Sequence, residues 1–212
     1  MRAPGEAQLT GRRPEHADRP SVRWNMREYS AEDEDNIIRQ CLNGNAEKFS
    51  VLVERYRSLA FNVAFRMLGD QDAANDMAQD SFIAAYKGLR DFHHGSRFST
   101  WLYRIVMNKC RDYLRAGKDT VSVDEIAELR SDPKRTPEEK ASGREAQGIV
   151  QEALNALPPD YREVIVLKHI EELDYQEISV ILGVGITALK VRAHRAREML
   201  RDVLEKTGMN HG

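Results

Sequence analysis

From Glu32 onward the apolar positions recur three and four residues apart, the spacing that puts side chains on one side of an α-helix. The pattern predicts a first helix from about Glu32 to Leu42, with Ile37, Ile38 and Cys41 apolar, stopping at Asn43-Gly44. A second follows a cap at Asn45, carries Phe49, Leu52, Val53, Tyr56, Leu59, Ala60, Val63 and Met67, and ends at Gly69. A third is capped by Asp70 or Asp72, carries Ala73, Met77, Phe82, Ile83 and Tyr86, and fades at Gly88. A fourth occupies Phe98 to Arg115, with Leu102, Ile105, Val106, Cys110 and Tyr113 as its core stripe. No segment alternates with period two for long enough to read as a strand.

From Ala116 to about Arg135 the pattern dissolves into a polar, somewhat acidic stretch, which reads as a linker. Order resumes at Thr136, where Thr136, Pro137 and Glu139 make a capping box with proline at the first helical position. That helix continues through Ile149, Val150, Ala153, Leu154 and Leu157 and ends at Pro158-Pro159. Another takes Tyr161, Val164, Ile165 and Lys168. Asp174 and Glu177 then cap a short helix with Ile178 and Leu182 facing inward, closed by Gly183. A last helix starts near Thr187 after the turn at Val184-Gly185, and buries Leu189, Ala193, Ala196 and Leu200. Short helix, glycine turn and second helix form a helix-turn-helix.

The fold class is therefore all-α: two small helical domains joined by a flexible linker, the second a helix-turn-helix domain. The expected boundaries are a disordered extension at 1–29, a first domain at 30–115, a linker at 116–135, a second domain at 136–206 and a tail at 207–212. Proline and scattered arginine without apolar periodicity give the extension its disordered character. Arg12-Arg13 resembles a twin-arginine signal, but no apolar segment follows it, which argues against export. Met26 offers an alternative translation start.

Composition changes this picture little. The net charge of −2 announces no nucleic-acid partner, so such a partner must rest on local clusters. No apolar run approaches the roughly 18 residues that span a bilayer. The two cysteines, Cys41 and Cys110, fall within helical patterns and read as buried free thiols of a reducing cytoplasm. His93-His94, adjacent on a loop, lacks the partners of a metal site. No phosphate loop, nucleophile elbow or zinc-protease helix is present. The reading is of a cytoplasmic protein that is not an enzyme and has no cofactor or metal.

Two polar stripes do change the picture. On the fourth helix, Trp101, Arg104, Asn108, Arg111 and Arg115 share a face that is not the core. On the last helix, Thr187, Lys190, His194, Arg197 and Arg201 line one side, with Arg192 and Arg195 on its flanks. A basic stripe on the second helix of a helix-turn-helix suits a major-groove reader, because arginine and lysine neutralise phosphates and donate to guanine edges.

The run "DMAQDSFIAAYKGLRDF", followed by "FSTWLYRIVMNKCRDYL", resembles the core-binding and −10-reading domain of the extracytoplasmic-function (ECF) alternative sigma factors of bacterial RNA polymerase. The later run "LNALPPDYREVIVLKHIEELDYQEISVILGVGITALKVRAHRAREML" resembles the −35-reading domain of that family. The resemblance implies that Asp76, Gln79, Asp80 and Phe82 dock onto the clamp helices of the β′ subunit, with the β subunit as a further polymerase contact. It implies that Phe98, Trp101, Arg104, Asn108, Arg111 and Arg115 face the −10 element, and that the loop from Asp91 to Phe98 receives an extruded base. Thr187, Lys190, Arg192, His194, Arg195 and Arg197 would meet the −35 major groove. His93-His94 stands where the family commonly carries Arg-Gly, Asp80 where glutamate is commoner, and Ala188 and Val191 where small hydroxyl residues are usual.

The function this implies is an alternative sigma factor that binds core polymerase, recognises both promoter elements and assists melting for a stress or envelope-response regulon. The family also implies an anti-sigma partner. The free protein is expected to be a monomer with independently moving domains. The competing class is a stand-alone helix-turn-helix regulator, for which the Trp-Arg-Asn stripe beside an acidic helix would have no use.

Overall fold

The computed structural model of the chain describes residues 31–93, 97–120 and 142–206. They form eight α-helices: α1 (Ala31–Leu42), α2 (Phe49–Leu68), α3 (Gln71–Lys87), α4 (Phe98–Thr120), α5 (Ser142–Asn155), α6 (Pro159–Ile165), α7 (Tyr175–Leu182) and α8 (Ile186–Lys206). Short 3-10 turns occur at Ala46–Lys48 and Leu89–Asp91, and α6 runs on into a π-helical turn, Val166–Ile170. The N-terminal extension with Arg12-Arg13 and Met26, loop residues 94–96, linker residues 121–135, the Thr136–Glu139 capping box and the 207–212 tail lie outside the described residues.

Local chemistry sets most boundaries where the periodicity put them. Gly69 ends α2 in the left-handed region at φ +77°, and its N–H donates to the Phe65 carbonyl at 2.8 Å. Asp70, rather than Asp72, caps α3 by accepting the Ala73 N–H at 2.7 Å. The Asp174–Glu177 capping box forms in both directions, at 2.8 and 3.0 Å. The linker boundary moves: α4 passes through Ala116 and ends at Thr120. Once a helix is nucleated, each further residue adds a hydrogen bond, so an end to apolar periodicity does not end the helix.

Leu102, Val106 and Cys110 of α4 are buried as expected, joined by Tyr103 and Met107. Packing of both α2 and α3 against α4 widens its buried arc beyond the single stripe. Tyr113, expected in that stripe, is 47% exposed, because the last turns of α4 present Asp112, Tyr113 and Arg115 to solvent. Val150 of α5 is likewise exposed. Burial pushes the Cys110 thiol up to about 12, which keeps it protonated and unreactive.

The two halves are docked against each other, whereas independent motion was expected. α2 lies against α5 and α6, and α4 against α7, so the buried apolar side chains make one cluster from Ile38 to Ala196. The junction also carries polar pairs. Arg66 Nη1 donates to Gln151 Oε1 at 3.3 Å, and Gln151 Nε2 donates back to the Arg66 carbonyl at 3.2 Å. The buried Arg162 guanidinium donates to the carbonyls of Met67 across the junction and of Asn155 and Leu157 beside it.

Candidate nucleic-acid interface

The outer face of α3 presents Asp76, Gln79 and Asp80, all exposed, at helical spacing. The same face carries Ile83 and Tyr86, 46% and 45% exposed, although both belong to the apolar pattern of the sequence. Phe82, which belongs to the apolar pattern of the sequence but which the resemblance assigns to this docking face, is only 8% exposed and belongs to the core. It faces the opposite side of α3 from Asp80 and Ile83, so it supports the face without presenting a ring to a partner. Lys109 of α4 reaches Asp80 at 3.7 Å.

On α4 the aromatic part of the stripe is anchored from below. The half-buried Trp101 indole stands edge-on to Phe98, with centroids 5.7 Å apart, and lies 5.4 Å from Phe92. Gly88 has only a hydrogen where a Cβ would sit 3.6 Å from the indole, so the turn after α3 passes close beside the ring. Phe98, expected on the nucleic-acid face, is 1% exposed: it forms the floor under Trp101 and has no free surface for a base. Arg104, Asn108 and Arg115 are exposed, Arg115 within 3.7 Å of Asp112 one turn back. On the adjoining loop, His93 Nδ1 lies 2.9 Å from the Asp91 carbonyl.

Arg111 is the exception in this stripe. It is half-buried, its Nη1 donates to Asn108 Oδ1 at 3.2 Å, and its Nε donates to Glu163 Oε2 of α6 at 2.8 Å. Burial works against both charges. It pushes the Glu163 carboxyl above its ordinary range despite the pull of Arg111. For the more exposed Arg111 burial acts downward, but the Glu163 hydrogen bond and charge outweigh it and hold the guanidinium above its ordinary value.

The helix-turn-helix forms as α7, a left-handed Gly183 at φ +68° and α8. Only glycine adopts that conformation without a Cβ penalty, which fixes the turn between the two helices. Thr187, Lys190, His194, Arg195 and Arg197 are exposed on α8. His194 Nδ1 lies 3.4 Å from Glu198. Arg192 instead turns toward α6, reaching Glu163 Oε1 at 3.4 Å and Asp160 at 3.3 Å. Tyr175, not singled out from the sequence, has Lys168 at 5.2 Å and Lys190 at 6.0 Å from its ring centroid, so its ring helps hold two cations on this side. Its position directly after the Asp174 cap was the available signal.

The family model Sigma-70 region 2 matches residues 52–120, and Sigma-70, region 4 matches residues 147–200. The first match spans the α3 face and the α4 stripe, and the second spans the helix-turn-helix. Over 178 residues, 79% of this chain and 94% of the relative, the sequence is 36% identical to the ECF RNA polymerase sigma factor SigW of Bacillus subtilis (strain 168). The chain belongs to the ECF sigma factors of RNA polymerase. Solved structures of similar fold include the CnrH chain of a complex with the cytosolic domain of CnrY. It has a TM-score of 0.61 and 29% identity, over 84% of this chain and 99% of that one. A second is the sigma factor RpoE from Bartonella quintana, co-crystallised with the anti-sigma factor NepR, at TM-score 0.60 and 25% identity, over 75% of this chain and 98% of that one.

As an ECF sigma factor the chain is an alternative sigma factor acting in transcription initiation. Family membership brings core RNA polymerase and promoter DNA as its macromolecular partners. The sigma factor thus has three exposed surfaces, on α3, α4 and α8, and one buried carboxylate, Glu163, that touches two of them. Among the described residues, no helix is long and apolar enough to cross a membrane.

Proposed function

We propose that this sigma factor docks on the β′ clamp helices of core polymerase through Asp76, Gln79 and Asp80, with Ile83 and Tyr86 supplying the apolar part of the contact. Trp101, Arg104, Asn108, Arg111 and Arg115 then take the −10 element, while Thr187, Lys190, Arg192, His194, Arg195 and Arg197 take the −35 element. The observation that carries this reading is the Trp101 indole, seated on Phe98 and Phe92 beside exposed Arg104 and Asn108. A supported ring next to cationic and amide donors is suited to DNA that has lost its stacking. Extruding a base costs a few kcal/mol. Stacking it on an aromatic ring returns about 1–3 kcal/mol, which is enough to trap a spontaneous opening without ATP.

The sigma factor works in the cytoplasm, where its polymerase is, on a stress or envelope-response regulon and without catalytic chemistry of its own. It is held as a one-to-one complex by a small helical anti-sigma protein that competes with core polymerase. The solved relatives were captured with CnrY and NepR, which supports a partner of that kind. Run-off transcription with purified core polymerase tests the reading, with permanganate footprinting of the −10 region. Trp101→Ala and Asn108→Ala should leave promoter capture largely intact and impair opening. Lys190→Ala and Arg197→Ala should each weaken capture, by about 1–3 kcal/mol where the side chain reads a base. Tight, promoter-specific binding by the free chain, with no transcripts from core polymerase, would favour a stand-alone regulator.

A further inference from the structure

The outermost line of α8 is not its basic stripe. Leu189, Ala193 and Ala196 are the buried residues of this helix. At about 100° per residue, the side chain of the first turns that points most directly away from them is Val191. It is 47% exposed. Thr187 and His194 stand about 40–60° to one side of it and Arg195 about 40° to the other, all exposed. Lys190, Arg197 and Arg201 lie roughly 100° round from Val191, on the flank of the helix. Lys190 is drawn further that way by the Tyr175 ring of α7, 6.0 Å from its Nζ. Two turns beyond Val191 the same outer line reaches the exposed Glu198, 3.4 Å from His194. DNA phosphate repels that carboxylate, which leaves the first turns of α8 as the part that enters a groove.

An isolated exposed valine is ordinary on a protein surface. The place of this one decides what it meets. A helix lying in the major groove sets the outermost side chains of its first turns against base edges, and its flanking cations against the phosphate walls. Val191 has neither donor nor acceptor. The one apolar group that base pairs display in the major groove is the 5-methyl of thymine. A polar base edge pressed against Val191 would lose water without gaining a hydrogen bond, so the same side chain also rejects the alternatives. Ala188, exposed one turn earlier, brings no competing polar group to this strip.

We infer that Val191 is a base-reading residue of this sigma factor, and that the group it reads is the 5-methyl of a thymine in the −35 element. This deepens the proposed function and rests on it. Lys190 and Arg197 on the flank hold the helix in the groove, while Val191 on the outer line contributes to the choice of sequence.

Deoxyuridine tests this, because it pairs as thymine does and lacks only the methyl. Holoenzyme reconstituted from the full chain and core polymerase selects promoters from a randomised duplex library. In the selected −35 element each thymine of either strand is then replaced singly by deoxyuridine, and affinity is measured by competition. At one position the replacement should weaken wild-type binding about fourfold, the effect of leaving one methyl group unburied. Val191→Ala keeps a strong helix former at an exposed site and removes the contact. Its holoenzyme should bind the thymine and deoxyuridine duplexes equally. Arg195→Ala should weaken both duplexes and preserve the fourfold ratio. A selected −35 element in which no thymine is sensitive to deoxyuridine would overturn the inference. So would a ratio that survives Val191→Ala, or one that Arg195→Ala abolishes as well. If the wild-type holoenzyme selects no −35 element and gives no promoter-specific transcripts, the proposed function fails instead.

Discussion

The Tyr103 hydroxyl donates to the Glu171 carboxylate at 2.5 Å, joining residues 68 positions apart in the sequence. Tyr103 is buried on α4, and Glu171 follows the π-helical turn after α6. Burial, reinforced by the Glu171 charge, pushes the phenol well above its ordinary value. Tyr103→Phe preserves the ring and deletes the donor. It should lower stability by about 1–3 kcal/mol, the usual range for deleting a hydrogen bond to a charged group. Urea denaturation measures this, and an unchanged midpoint would mean that water serves Glu171 equally well.

Burial pushes the Glu163 and Glu171 carboxyls above their ordinary range. The folded chain therefore binds these two protons more readily than the unfolded chain does. The stability they contribute is fully present below the unfolded carboxylate value and is lost as pH rises through their raised folded values. Glu163→Gln and Glu171→Gln cannot titrate, so each variant should gain on wild type as pH is raised from about 4.5 toward neutrality. Denaturation midpoints across that window provide the check. A variant-to-wild-type difference that does not change with pH would count against buried, strained carboxylates.

Phe82 and Ile83 are neighbours in sequence with opposite fates. Phe82 lies in the core and Ile83 on the outer face of α3. Phe82→Ala should cost about 3–5 kcal/mol of stability, as large-to-small core changes do. Ile83→Asp should leave the melting temperature nearly unchanged and sharply reduce binding to core polymerase in pull-downs. Normal polymerase binding by Ile83→Asp would move the docking surface elsewhere.

Glu172 sits at φ +56°, the one non-glycine residue with positive φ among the described residues. A side chain pays roughly 1–2 kcal/mol for that conformation. Glycine escapes this cost but gives up about 0.5–1 kcal/mol through its freer unfolded state. Glu172→Gly should therefore raise stability by about 0.5–1 kcal/mol net. Thermal melting checks it, and a lowered melting temperature would mean that the Glu172 carboxylate holds this turn in some other way.

The helices were legible because their signals are local. Apolar spacing, the Asp174–Glu177 box and glycines at 69 and 183 each act within a turn or two of chain. The roles of single aromatic residues were less legible. Phe82 and Phe98 lie where a stripe edge and a core edge meet, and periodicity does not decide which way such a ring turns. The docking of the halves left no trace of its polar contacts in the sequence. Arg111 and Glu163 are 52 residues apart, Arg66 and Gln151 are 85 apart, and each looks like an ordinary exposed residue on its own helix. Hydrophobic period shows which faces are apolar, but not which polar face will meet which.

α4 is a 23-residue helix, roughly 34 Å of stiff rod. Its buried seam at Leu102, Val106 and Cys110 packs it against the first half of the chain. Trp101 and Arg111 ride on the same rod about 15 Å apart, with Lys109 between them reaching Asp80 on α3. Such a rod resists bending, so the ring and the guanidinium are not displaced independently: whatever shifts α4 on α2 and α3 carries Trp101 and Arg111 together.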